Sequence, residues 1–100
     1  MMSTVNQVEI TNNKEKGRFE IRLGNDYAFV DYRWRNEVFE LMYIFVPVHY
    51  RGKGISEELI KHVLDFALEN DLQINVYCSW IAGFVRSHPE YLPLVERHQR

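Results

Sequence analysis

Six consecutive residues, Arg51-Gly52-Lys53-Gly54-Ile55-Ser56, carry the strongest chemical signal in the chain. An apolar run ends at Val46, Pro47 closes it, and two glycines interleaved with two cations lead straight into an amphipathic stretch. That layout is suited to an anion. The first turn of a helix has backbone N–H groups without intrahelical partners and the positive end of the macrodipole, so a phosphate is stabilised there. Gly52 and Gly54 remove Cβ atoms that would hold a phosphate away from those amides, and Arg51 and Lys53 add charge. Ser56 is placed to serve as N-cap or as a hydroxyl donor to phosphate. The plainer reading is a strand-to-helix turn with solvated cations, since short glycine motifs also match by chance.

The other reactive side chains are sparse. Cys78 is the lone cysteine, and it reads either as a small buried hydrophobe or as a thiolate activated by the helix start at Ser79. His49 precedes the loop and is within reach of a phosphate, although a lone loop histidine is more often solvated. His62 falls on the wet face of the coming helix, His88 before Pro89 helps to end another, and His98 lies in a tail expected to be disordered. Glu40, between Phe39 and Leu41, reads as a solvated strand carboxylate or as a general base. Tyr43 reads as a core aromatic or as a hydroxyl in a site.

The elements that must position these groups follow from periodicity. Residues 8–11 suggest an edge strand and 12–17 a polar turn. Residues 18–23 alternate, with Phe19, Ile21 and Leu23 opposing Arg18, Glu20 and Arg22. Residues 27–35 continue as a second strand, Asn36-Glu37 makes a tight hairpin, and 38–46 is a nearly continuous apolar run, expected to be a central strand covered on both faces. From 55 to about 70 the period becomes helical, with Leu59, Ile60, Val63, Leu64 and Ala67 on one stripe. Residues 73–78 form another strand, so the strand-helix-strand order predicts a parallel pair. Residues 79–87 predict a short helix capped by Ser79, with a further turn at most beyond Glu90. The expected class is α+β.

One hundred residues fit a single domain, 1–100, with its core at about 8–91. A net charge of -2 argues against a general nucleic-acid binder. One cysteine excludes an intramolecular disulfide and gives no zinc cluster. No signal-peptide pattern or membrane-length apolar run is present, so the default is a soluble cytoplasmic protein of unknown oligomeric state.

Residues 51–56 resemble the coenzyme A pyrophosphate loop of the GNAT acetyltransferase superfamily, commonly Q/R-x-x-G-x-G/A, with Ser56 standing where Gly or Ala is usual. More specifically, V-P-x-x-x-R-G-K-G-I, C-S at Cys78 and H-P-E-Y from His88 to Tyr91 resemble a small, minimal N-acetyltransferase-like group, typified by the human N-acetyltransferase domain-containing protein. The resemblance covers roughly residues 18–91 and implies a minimal GNAT-like fold, with an antiparallel meander, a β-α-β parallel pair and a short C-terminal helix. It also implies an N-acetyltransferase using acetyl-CoA as donor and an unidentified amine as acceptor, a small molecule or a protein. On this reading Arg51, Gly52, Lys53, Gly54, Ile55 and Ser56 hold the diphosphate, and pantetheine runs beside Phe45 and Val46, with an oxyanion near Val46 amides. Cys78 is the catalytic candidate, as a covalent acceptor of the acetyl group; direct attack by the amine is the other route. The chain departs from the group at Tyr43-Ile44, where His-Thr is frequent, and at Phe84, where tyrosine is usual. Those departures motivate the alternative, a non-catalytic coenzyme A-binding or partner-binding module.

Overall fold

The computed structural model describes residues 9–96. Five strands form one sheet in sequence order: β1 (Ile10–Asn13), β2 (Arg18–Leu23), β3 (Asp26–Arg35), β4 (Val38–Phe45) and β5 (Gln73–Val76). The first four are antiparallel neighbours, and β5 lies parallel to β4. Helix α1 (Ile55–Glu69) makes the crossover; α2 (Ser79–Ser87), a turn at Pro89–Tyr91 and the short α3 (Leu92–Glu96) follow β5. The minimal GNAT-like α+β architecture is therefore present. The edge strand is described over Ile10–Asn13; Val8, where the sequence suggests its start, and His98 lie outside the described residues. The β3–β4 hairpin has positive φ at both Asn36 (50°) and Glu37 (74°), the backbone that a tight turn with right-handed strand twist requires.

Alternation in β2 and β3 sends Phe19, Ile21, Ala28 and Val30 to one face, where they meet Leu59, Ile60, Val63 and Leu64 of α1. Phe66 wedges against Phe19 and Phe39, at centroid distances of 5.1 and 5.6 Å. Ile81, Val85, Tyr91 and Leu94 from the C-terminal segment join the same core. That segment is also tied to α1 by a polar bond: Tyr91 Oη donates to Asp65 at 2.7 Å, and within α1 Lys61 Nζ donates to the same carboxylate at 3.0 Å. Burial and the Asp65 bond push the Tyr91 hydroxyl up to about 12, so it is a neutral donor across the working pH range.

The helices occupy one face of the sheet, which corrects the expectation that β4 is covered on both. Its apolar run has another cause. Tyr32 pairs with Leu41 while Asp31 pairs with Tyr43, so Met42 is an extra residue, a β-bulge. The bulge shifts the two-residue alternation by one, and Phe39 and Leu41 before it point to the same core as Ile44 and Val46 after it. On the opposite face the chain covers itself. The Arg18 guanidinium lies 3.8 Å from the centroid of the Phe29 ring and pairs with Asp31 at 3.3 Å.

Leu64 is fully buried whereas Glu58 is exposed. Leu64→Ala is expected to destabilise the protein by about 2 to 5 kcal/mol, and Glu58→Ala by less than about 0.5 kcal/mol, in denaturant unfolding. Equal costs would contradict this helical phase.

Candidate functional site

Parallel pairing between β4 and β5 is short, from Val38↔Gln73 to Leu41↔Val76. A last bond, Tyr77 N–H to the Leu41 carbonyl at 2.9 Å, closes it. Beyond the bulge at Met42 the strands part, and among the described residues β4 from Tyr43 onward has no strand beside it on that flank. A cavity of about 570 Å³ opens there. Its walls come from four places: Tyr43, Ile44 and Phe45 of β4 with Val46 just past its end; Tyr50, Arg51, Gly52 and Gly54 of the loop; Ile55, Ser56 and Glu57 of the first turn of α1; and Trp80 of α2.

The loop has left-handed backbone at Gly52 (φ +79°) and Gly54 (φ +83°), a conformation in which L side chains are strained. Nothing lies within 4 Å of where a Cβ would sit on either, so the glycines serve the turn and leave the space above it open. Gly54, not Ser56, is the N-cap of α1. The Glu58 N–H is the first to find a helical acceptor, the Gly54 carbonyl at 3.1 Å. The amides of Ile55, Ser56 and Glu57 are thus left by helix geometry without one, at the positive end of the dipole. Arg51 folds back, its Nε donating to the Val46 carbonyl at 2.7 Å, and so ties the loop to the end of β4. Ser56 is buried within the first turn and its Oγ donates to Glu57 Oε1 at 3.1 Å, in place of the capping bond expected of it.

Of the coenzyme-binding residues expected from sequence, Phe45, Val46, Arg51, Gly52, Gly54, Ile55 and Ser56 line this one cavity; the Lys53 side chain does not. The wall also includes Tyr50, Glu57 and Trp80, which were not singled out. Trp80 was the detectable one: it sits off the stripe that buries Ile81 and Val85, an exposed tryptophan beginning a helix. Cys78 is half-buried against the core at the N-cap of α2, a place expected for Ser79, and is not among the lining residues. Its carbonyl accepts the Ala82 N–H at 2.9 Å. His88 is held by its helix: Nδ1 donates to the Phe84 carbonyl at 2.8 Å and the ring stacks on Phe84 at 3.9 Å. His49 is exposed outside the cavity wall.

Residues 18–94 match the family model for GCN5-related N-acetyl-transferase. The chain belongs to that family. Protein NATD1 of Bos taurus is 33% identical over 85 residues, covering 82% of this chain and 75% of that protein. Protein NATD1 of Danio rerio is 33% identical over 91 residues, covering 86% and 83%, and that of Homo sapiens is 31% identical over 85 residues, covering 82% and 75%. The NMR solution structure of a GCN5-like protein from Staphylococcus aureus superposes with a TM-score of 0.64 at 24% identity, over 91% of this chain and 87% of that one, a likeness of fold.

Glu40 differs from its sequence reading as a solvated carboxylate. It is 1% exposed, on the sheet face away from the helices. A buried carboxylate needs partners. Arg33, directly across on β3, donates to Oε1 at 2.6 Å, with Arg35 at 3.7 Å; Asn75, directly across on β5, and Tyr77 each donate to Oε2 at 3.2 Å. The Arg33 hydrogen bond, against the opposing effect of burial, holds the carboxyl below its ordinary 4.5. Both oxygens are occupied, so Glu40 is a clamp across three strands, next to the point where β4 and β5 part, rather than a base.

Because its folded pKa is lowered, the stability Glu40 contributes is present above pH 4.5 and is lost as pH falls through the depressed value. Glu40→Gln should lower the melting temperature at neutral pH and flatten the decline below pH 4.5 relative to wild type. Parallel melting curves from pH 7 to 2 would refute the clamp.

Proposed function

We propose that the protein is an acetyl-CoA-dependent N-acetyltransferase that moves an acetyl group to an amine. The observation that carries this reading is the continuity of one cavity, from the amides of the Gly52–Gly54 turn to the flank of β4 left unpaired beyond Met42. A diphosphate suits the first end, where N–H groups and the helix dipole favour negative charge. An extended amide-bearing arm suits the second, where β4 offers backbone groups as it would to an added strand. The space directly above both glycines is open to such a ligand.

Acetyl-CoA supplies an acyl group activated as a thioester. The protein's part is orientation: the loop anchors one end, Phe45 and Val46 align the arm, and backbone N–H groups near Val46 receive the negative charge that develops on the carbonyl oxygen. The neutral amine nitrogen forms the new bond to the carbonyl carbon, the carbon–sulfur bond breaks, and coenzyme A leaves as thiolate. The proton that the nitrogen loses passes to that thiolate, with the Tyr43 hydroxyl, half-exposed in the wall of this cavity, as the candidate relay. In the covalent route the Cys78 thiolate would attack first and pass the acetyl group to the amine. The position of Cys78 outside the cavity wall favours direct attack. A coenzyme A-binding module without chemistry is supported by Phe84, which lacks a hydroxyl, and by the engaged ring of His88.

Coenzyme A should bind wild type and raise its melting temperature. Arg51→Ala, which removes the tie to Val46, and Gly54→Val, which forces a branched side chain into φ +83°, should each weaken binding about tenfold or more. Thiol release over a panel of amines then separates enzyme from module. Turnover that survives in Cys78→Ala is the expected result; binding without release for any amine would contradict the enzymatic reading.

A further inference from the structure

The charge of the cavity wall is unusual for a site that receives phosphate. Among its lining residues the charged side chains are Arg51 and Glu57, so the wall is formally neutral. Lys53, the loop's other cation, is exposed and outside the wall. Lys61, one turn beyond Glu57, is engaged by Asp65 at 3.0 Å and does not offset the Glu57 charge. With Gly54 as N-cap, Glu57 occupies the third helical position, from which a glutamate side chain folds back over the first turn. The neighbouring Ser56 hydroxyl, a natural donor to phosphate, donates instead to Glu57 Oε1 at 3.1 Å. A carboxylate there is itself stabilised by the helix dipole, in the same field that would stabilise a bound anion.

We propose that Glu57 is an internal competitor for the phosphate cradle, a carboxylate that occupies the electrostatic niche of the ligand's diphosphate and sets its affinity. The inference rests on the coenzyme A reading of the cavity and adds a residue that opposes binding. The diphosphate must displace Glu57 from the first turn, and Ser56 then becomes free to donate to the incoming phosphate. The same competition acts on substrate and product, which share the diphosphate, so it keeps the product thiol from holding the site. Because Glu57 is exposed, its effect is moderate and screened by salt.

The test compares Glu57→Gln with Glu58→Gln, which removes a neighbouring charge that does not line this cavity. Dissociation constants are measured by calorimetry or NMR titration for coenzyme A, 3′-dephospho-coenzyme A and pantetheine, the last lacking the diphosphate. Glu57→Gln is expected to bind both diphosphate ligands about three- to tenfold more tightly at low salt, with a smaller gain at high salt and no gain for pantetheine. Glu58→Gln should stay within about twofold of wild type. Equal tightening in both variants would mean a general field effect, and no tightening in Glu57→Gln would mean no competition; either overturns the proposal. Absence of coenzyme A binding by wild type would overturn the loop reading itself, and this inference with it.

Discussion

A single unpaired residue, Met42, sets the geometry on which the site depends. Inserting one residue into β4 opposite a regular β3 bends the strand and shifts its side-chain phase. Two consequences follow from the same event. Phe39, Leu41, Ile44 and Val46 can all serve the core beneath α1, and β4 turns away from β5 where the cavity begins. Without the bulge, residues 43–46 would continue beside an extended β5, with their backbone groups closed in a ladder and Ile44 and Val46 turned to the face away from the helices.

A parting of strands needs a point at which it stops. The Glu40 clamp supplies it, because Arg33, Glu40 and Asn75 stand side by side on β3, β4 and β5, one residue from the last paired position. Truncating any partner would leave a buried carboxylate short of a bond, a costly state, so the clamp resists both widening and closing of the split. The same face shows how a one-sided sheet avoids exposing a broad apolar surface. Arg18 over Phe29, and Arg33 near Tyr77 at 5.7 Å, place cations on rings, and carboxylates answer the cations. At the other end the loop works by backbone conformation, since positive φ at Gly52 and Gly54 delivers the chain to α1 with its first amides open.

Much of this was legible in residue order. Strict alternation in β2, the helical stripe of α1 and the glycine-cation loop are local signals, and each located its element. Phe45, Val46, Arg51, Gly52, Gly54, Ile55 and Ser56 line the cavity because they lie close in sequence on both sides of one turn. The failures were non-local. The run at 38–46 looked buried on both faces because a bulge and a two-sided strand leave the same apolar pattern. Glu40 looked solvated because its partners, Arg33, Asn75 and Tyr77, are assembled only by strand register. Trp80 reached the cavity through the placing of α2, and Ser56 lost its capping role because Gly54, already left-handed, ended the turn two residues earlier.

The central claim is that the split between β4 and β5 and the glycine loop form one binding surface. Backbone amide shifts during titration with acetyl-CoA test it most directly. The account predicts that perturbations concentrate on residues 43–46 and 52–57 and on Trp80, with 10–23 in β1 and β2 left nearly still. Shifts confined to the loop, with the amides of 43–46 unmoved, would contradict it.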